Sequence, residues 1–243
     1  MTTGTKFGGV SAAQDFWLDN LSGADAYTRW ILDEAHPYLG KRVLEVGCGT
    51  GTYTVPLAKA GHELVSVDID PAYAAATTQA TKGMASVTVR HADATDPAVD
   101  LGDAFDSVIL LDVLEHIEHD VALLQRLRAR LKPGGRIVLK VPAMKSLHSP
   151  MDDAIGHWRR YNRASLAKTL SDAGFEAERL WPFNAFAVPG WWLNGRVLKR
   201  TTPPAEQVKL FNRLIPMLRP LDKALRHVMG LSLFAVGRVP MAT

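Results

Sequence analysis

Residues 112–116 read D-V-L-E-H and residues 156–161 read G-H-W-R-R-Y. Both clusters carry side chains that move protons or hold charge. Asp112, Glu115 and His116 lie within one turn, and the His116 imidazole titrates near neutral pH, so it accepts a proton from a hydroxyl or an ammonium group. The same ring also suits a local role in ordering its loop, and His119 reads as a surface residue. His157 is a second base or ligand, Arg160 a planar fork for an anionic group and Tyr161 an aromatic wall. A third cluster is V-L-E-V-G-C-G-T-G-T-Y at 43–53, where Gly47, Gly49 and Gly51 let backbone approach a ligand closely. Turns of this kind also serve dinucleotides. The dinucleotide fingerprint G-x-G-x-x-G, however, finds Thr52 in its last place, which disfavours a nicotinamide oxidoreductase. Glu45, just before the turn, favours a ligand bearing an ammonium group over a pyrophosphate. Cys48 reads as a small residue filling space inside the turn.

Positioning these groups requires a sheet. Short apolar runs at Arg42–Val46, Glu63–Asp68, Ser86–His91, Phe105–Leu111 and Arg136–Val141 alternate with helical segments at Thr52–Ala60, Pro71–Lys82 and Asp120–Leu131. Strands this uniformly apolar have no wet face, which predicts a parallel sheet covered on both sides, a doubly wound α/β domain. In such folds ligands bind at the carboxyl ends of the strands, where the glycine turn and Asp112 fall. Two helices, Ala12–Leu21 and Gly23–His36, are expected ahead of it, the second ended by Pro37. After a polar segment, Lys145–Asn162, a helix Arg163–Ala173 closes at Gly174, and strands follow at Phe175–Trp181 and Leu231–Val239.

The chain has 243 residues, 47% of them hydrophobic and 22% charged, enough to bury one full core. No apolar run approaches the roughly 20 residues that cross a bilayer, and Met1–Val10 holds no apolar leader core, so a cytoplasmic protein is expected. One cysteine allows no internal disulfide and no thiolate zinc cluster. The net charge of +3 is uneven: residues 183–230 carry eight basic and two acidic residues. This basic, Trp- and Pro-rich stretch points to an anionic or amphipathic partner.

Five motifs in order carry a resemblance: E-V-G-C-G-T-G at 45–51, V-D-I-D at 67–70, H-A-D-A at 91–94, F-D-S-V-I-L-L-D-V-L-E-H-I at 105–117 and L-K-P-G-G-R-I-V-L at 131–139. Together they make the chain resemble the class I S-adenosylmethionine-dependent methyltransferases of the type 11/12 group over about residues 40–182 and the last strand. The resemblance implies a mainly parallel seven-stranded Rossmann-like sheet and S-adenosyl-L-methionine as cofactor, with S-adenosyl-L-homocysteine as product. It implies that Glu45 and the backbone of Gly47, Cys48, Gly49 and Gly51 hold the methionine part. It assigns the ribose hydroxyls to Asp68, the adenine face to Ile69 and its amino edge to Asp93 with Ala94. A capping role for Asp68 or Asp93 is the alternative; Asp70, ahead of Pro71, fits a cap better. His116, Asp112 and His157 stand as catalytic candidates. The set D-x-x-E-H plus His157 is similar to the E-x-x-E-H-plus-histidine metal sites of small-RNA 2′-O-methyltransferases and to a related set in ubiquinone-pathway O-methyltransferases. Asp112 in place of Glu and a single well-placed downstream histidine depart from it, so a divalent metal is left unassigned.

The expected organisation is N-terminal helices covering the site (1–39), the cofactor-binding core (40–182), a helical, basic, substrate-side insertion (183–230) and the last strand (231–243). Leu210, Leu214, Met217, Leu221, Leu225 and Val228 recur at helical spacing in the insertion, and Pro216 and Pro220 are expected to break it in two. The stripe has three readings: core packing, a lid over an apolar acceptor, or a peripheral membrane element. Trp191 and Trp192 are expected to line the acceptor cavity beside Arg160 and Tyr161. The function expected is methyl transfer to an O or N acceptor on a small molecule of apolar or anionic character. The alternatives are a lipid-linked acceptor at the membrane surface or an inactive, cofactor-binding regulatory protein. Nucleic acid is disfavoured, since the stripe places its apolar residues where a basic stacking face would be needed. Sequence leaves the oligomeric state open.

Overall fold

A computed structural model describes residues 13, 15–17, 24–225 and 227–241. Ala13 and Asp15–Trp17 are helical, and the rest of the expected Ala12–Leu21 helix lies outside the described residues. Helix α1 (Asp25–Ala35) precedes β1 (Arg42–Val46), α2 (Thr54–Lys59), β2 (Glu63–Asp68), α3 (Pro71–Ala80), β3 (Val87–His91) and β4 (Phe105–Leu111). Then come α4 (Asp120–Arg128), β5 (Leu131–Pro142), α5 (Pro150–Ala154), α6 (Arg163–Asp172) and β6 (Glu176–Phe183). A short helix α7 (Ala187–Trp191) runs into a π-helical turn (Trp192–Val197), followed by α8 (Ala205–Leu225) and β7 (Ser232–Arg238).

The strands form one sheet in the order β3-β2-β1-β4-β5-β7-β6. Pairs among β1 to β5 are parallel, and β7 inserts antiparallel between β5 and β6. Strand order reverses between β1 and β4, and the glycine turn and the 112–116 cluster leave the sheet side by side there. Alternation along the strands feeds two apolar layers. Leu44, Val108, Leu110, Ile137 and Leu139 pack under α4 and α6, whereas Val43, Ile109, Val138 and Phe234 meet Trp30 and Ile31 of α1 and Ile215 of α8. Each such burial stabilises by about 1.5–3 kcal/mol.

The insertion departs from expectation in one respect. Helix α8 runs unbroken through Pro216 and Pro220. Both prolines are solvent-facing, so neither ring is forced against a packed neighbour. The polar Lys145–Asn162 segment contains α5, started by Pro150 at its first position.

Candidate active site

A cavity of about 580 Å³ opens at the carboxyl edge of the sheet. One part is built on the turn after β1. Gly47 has φ +79°, and a Cβ there would stand 2.4 Å from Val113 Cγ2, so only glycine fits beneath the loop that follows β4. Gly47, Cys48 and Gly49 line the cavity. Gly51 does not; it has φ +85°, and a Cβ there would stand 3.4 Å from Ala80 Cβ and 3.5 Å from Thr77 on α3. Burial, with Glu45 and Asp68 nearby, pushes the Cys48 thiol up to about 12, which keeps it protonated and fits the space-filling reading.

Glu45 is likewise displaced from its expected place. It lies beneath the turn rather than on the cavity, buried, with Oε2 accepting from Thr54 Oγ1 and Ser66 Oγ, each at 2.7 Å. It therefore braces β1 against β2 and α2. Burial pushes its carboxyl up to about 7, against the lowering effect of the two hydroxyls.

Asp68 faces the cavity and is tied to the turn: Oδ2 accepts from the Gly49 N–H at 2.8 Å and Oδ1 from the Asp70 N–H at 3.0 Å. Helix α3 is capped instead by Asp70, which accepts from the N–H groups of Ala72 and Tyr73. Burial raises the Asp68 carboxyl above its usual range, opposed by those backbone donors. Ile69, Asp93 and Ala94 line the same wall, with Asp93 Oδ1 accepting from the Thr95 N–H and hydroxyl at 2.8 and 2.7 Å.

The other part of the cavity holds the titratable groups. Asp112 ends β4 in the left-handed region, φ +56°, and its carboxylate is engaged by the buried ammonium of Lys140 on β5. Burial opposes the lysine charge, but Asp112 and the tyrosines beside it outweigh that and hold the ammonium above the ordinary lysine range. Asp112 thus borders the cavity as half of an ion pair, close enough for its charge to act on Glu115 and His157.

Glu115, His116 and His157 do meet: one ligand-capable atom of each lies within 4.8 Å of the others. Glu115 is fully buried, and neither carboxylate oxygen finds a hydrogen-bond partner among the described residues. Burial and the nearby Asp112 hold its carboxyl well above the usual range. Burial, with His157 adjacent, pushes His116 down to about 3. His157 Nδ1 lies 2.9 Å from Asp152 Oδ1, and its Nε2 lies 3.7 Å from Glu115 Oε1. A carboxylate only accepts, so the ring proton sits on Nδ1 and the Nε2 lone pair faces Glu115. Asp152 is fixed in turn by Arg160 Nε at 2.7 Å and by the N–H and hydroxyl of Ser149 at 3.0 and 3.1 Å. Burial would raise the Asp152 carboxyl, but His157 and Arg160 hold it below its usual range and keep it ionised.

Arg160 also donates to the Ala143 carbonyl, and its guanidinium lies 4.7 Å from the Trp191 ring, which lines the cavity. Two expected lining residues are elsewhere. Tyr161 is buried away from the cavity with its hydroxyl on Asp120 at 2.8 Å, because its backbone bridges to Ala143 and turns the ring into the core. Trp192, one position beyond Trp191 on the helical turn, points outward and is 53% exposed. Sequence reasoning passed over Asp152, although S-P-M-D at 149–152 is a capping-box pattern that signals a helix start.

The sequence matches the methyltransferase-domain family over residues 24–180, well over half of the chain. The chain belongs to the class I S-adenosylmethionine-dependent methyltransferases. This methyltransferase is similar to the ubiquinone biosynthesis O-methyltransferase of Cereibacter sphaeroides, 35% identical over 103 residues, which are 42% of this chain and 41% of the relative. The chain spans about half the length of the curated relatives it matches, between 41% and 64%. Among solved structures it shares its fold with magnesium protoporphyrin IX methyltransferase from Synechocystis PCC 6803 with bound SAH (TM-score 0.55, 21% identity, 96% of this chain and 89% of that one). It also shares the fold with the [4+2]-cyclase SpnF (TM-score 0.61, 18% identity, 90% and 82%).

Proposed function

We propose that the methyltransferase moves the methyl group of S-adenosylmethionine to a hydroxyl oxygen on a small, partly apolar acceptor. The sheet alone does not choose this chemistry, since the same fold serves a cyclase. The observation that carries the reading is the Asp152–His157 pair, whose free Nε2 stands beside the buried Glu115 in the same cavity as Asp68 and the glycine turn. A hydroxyl acceptor must shed its proton as it attacks, whereas the sulfonium is already a good leaving group. In the step proposed, the acceptor oxygen forms a bond to the methyl carbon and the carbon–sulfur bond breaks with its electron pair retained by sulfur. The hydroxyl proton passes to His157 Nε2. Asp152 stabilises the imidazolium, and Arg160 holds Asp152 in place. Burial lowers the proton affinity of both imidazoles, but His157 has Asp152 beside it to stabilise its charged form, so His157 serves as the base and His116 as a wall of the acceptor site. The apolar character of the acceptor is supported by Trp191 and Phe211 on the cavity wall. The similarity to an O-methyltransferase supports oxygen over nitrogen.

The Glu115–His116–His157 triangle supports a second reading, since an unpartnered buried carboxylate beside two imidazoles is a donor set for a divalent cation. Such an ion supplies Lewis acidity that lowers the pKa of a coordinated hydroxyl. Calorimetry with S-adenosylmethionine tests the donor site. Asp68→Asn should lose about 1.5–3 kcal/mol of binding, and equal affinity in both proteins would remove Asp68 from the site. Turnover after EDTA treatment and restoration by Mg²⁺ or Zn²⁺ separates the two routes: unchanged turnover leaves His157 as the base, and loss with restoration assigns the triangle to the ion.

A further inference from the structure

Helix α8 is held to the body by one face and is apolar on another. Its inner face is pinned by specific contacts: Asn212 Oδ1 accepts from the Tyr27 N–H, Arg219 pairs with Asp33, and Asp222 accepts from the N–H groups of Asn184 and Ala185. Ile215 completes the seat in the core, and Val208 and Phe211 line the cavity. The outer stripe, Leu210, Leu214, Met217, Leu221 and Leu225, is 39% to 72% exposed. At 100° per residue these five fall within one narrow arc, on the side away from Ile215 and Asp222. None of them is needed to seat the helix.

The charge around the stripe is basic on balance. Arg213 is exposed and, by the same periodicity, borders the stripe, whereas Lys209 pairs with Glu206 at 2.9 Å and Lys223 lies on the far side of the helix in a groove with Asp33 and Glu34. Across residues 183–230 eight basic residues oppose two acidic ones, and one of those acids is the buried Asp222. The start of α8 is tied to the preceding π-helical turn by Asn194 Nδ2 on Gln207 Oε1 at 2.8 Å. That turn and the residue after it expose Trp192, Leu193, Val197 and Leu198, with the basic Arg196, Lys199 and Arg200 among and beside them. A second copy of the chain seated on this face would oppose one positive surface with another. An anionic bilayer supplies both the apolar medium the stripe lacks and a counter-charge for Arg213 and the basic residues of the turn. Among the described residues no helix is long and apolar enough to cross a membrane, so the helix would lie in the interface plane.

We infer that the outer face of α8, with the π-helical turn before it, docks this methyltransferase on the surface of an anionic lipid bilayer. The inner face of the docking helix is a wall of the cavity, so docking sets the cavity beside the interface. Resting on the transferase reading above, this makes the acceptor a hydroxyl compound with an apolar tail that partitions into the bilayer.

The test is sedimentation of the full chain with phosphatidylcholine vesicles, with and without phosphatidylglycerol. Anionic vesicles should bind at least about tenfold more tightly, and salt should weaken the binding. The charge reversals Arg213→Glu and Lys199→Glu together should weaken it at least about 25-fold, taking about fivefold per basic residue near the surface. The triple variant Leu214→Ser, Met217→Ser, Leu221→Ser should abolish it while melting temperature and donor affinity hold. Wild type remaining in the supernatant with both vesicle types overturns the inference. So does a wild-type dimer that the triple variant dissolves without any vesicle binding, or a charge-reversed protein that binds as wild type does. Donor calorimetry on the same samples separates the two readings: donor bound without vesicle binding removes only the docking, and vesicle binding without donor removes only the transferase.

Discussion

His157 owes its proton-accepting nitrogen to Asp152, and that dependence can be measured. His157→Ala should lower turnover by about 10²–10⁴ and leave donor affinity nearly unchanged. Asp152→Asn is a test of positioning rather than of contact with the reacting atoms. The Asp152 carboxylate raises the proton affinity of His157 against the lowering effect of burial, so its removal lowers that affinity further. The rising limb of kcat/KM against pH should therefore move to lower pH while the plateau falls, and a plateau loss with an unmoved limb would assign Asp152 to structure alone. Glu45 makes the opposite kind of statement, about stability. Its carboxyl is at about 7 folded against an ordinary 4.5, so the folded state binds the extra proton and stability falls as pH rises through that interval. His116 and Asp152, both pushed down, pull the other way, which makes a difference measurement necessary. Glu45→Gln should match wild type near pH 4 and exceed it by roughly 3 kcal/mol near pH 8 by urea denaturation. Equal stability at both pH values would mean that the carboxyl is unperturbed.

Among the elements, α8 carries the least expected feature. Proline in a helix interior is about 3 kcal/mol less favourable than alanine, offset in part by a stiffer unfolded chain. Pro216→Ala should thus stabilise the protein by about 1–2 kcal/mol in thermal denaturation, whereas Asp222→Ala, which strands two buried N–H groups, should destabilise it by roughly 3–5 kcal/mol. The central strands were legible in sequence because each is an apolar run closed by a turn; their registers were not, since a strand buried on both faces carries no alternation to fix its partner. The glycine turn and the capping role of Asp70 were legible too, since each acts within a few residues of itself, whereas Asp68 was singled out through the resemblance and its bond to the Gly49 N–H spans 19 residues. What sequence hid is what depends on distant partners. Asp112 and Lys140 are 28 residues apart and meet only because β4 and β5 pair Leu111 with Lys140. Glu45 was read by its place in a motif, yet strand alternation sends it beneath the turn, onto Thr54 and Ser66. Whether a helix survives two prolines depends on which face is wet, and that is a tertiary fact.

For the molecule as a whole, one cavity runs from the glycine turn to Trp191 and Phe211. Donor and acceptor sites in a single space have a kinetic signature. A ping-pong scheme would require a side chain to carry the methyl group after the first product leaves, and the single thiol, Cys48, is held protonated inside the glycine turn. Under the proposed direct transfer, both substrates occupy the enzyme together before either product departs. Initial-velocity lines at several fixed acceptor concentrations should intersect in double-reciprocal plots, and no methylated form of the enzyme should accumulate when donor is supplied alone. Parallel lines, or a mass gain of one methylene on incubation with donor, would put a covalent carrier back into the reaction. An intersecting pattern also means that S-adenosylhomocysteine left in the shared space obstructs the next turnover, so release of the spent donor, rather than transfer itself, becomes a place where the cell's ratio of spent to fresh donor can throttle flux.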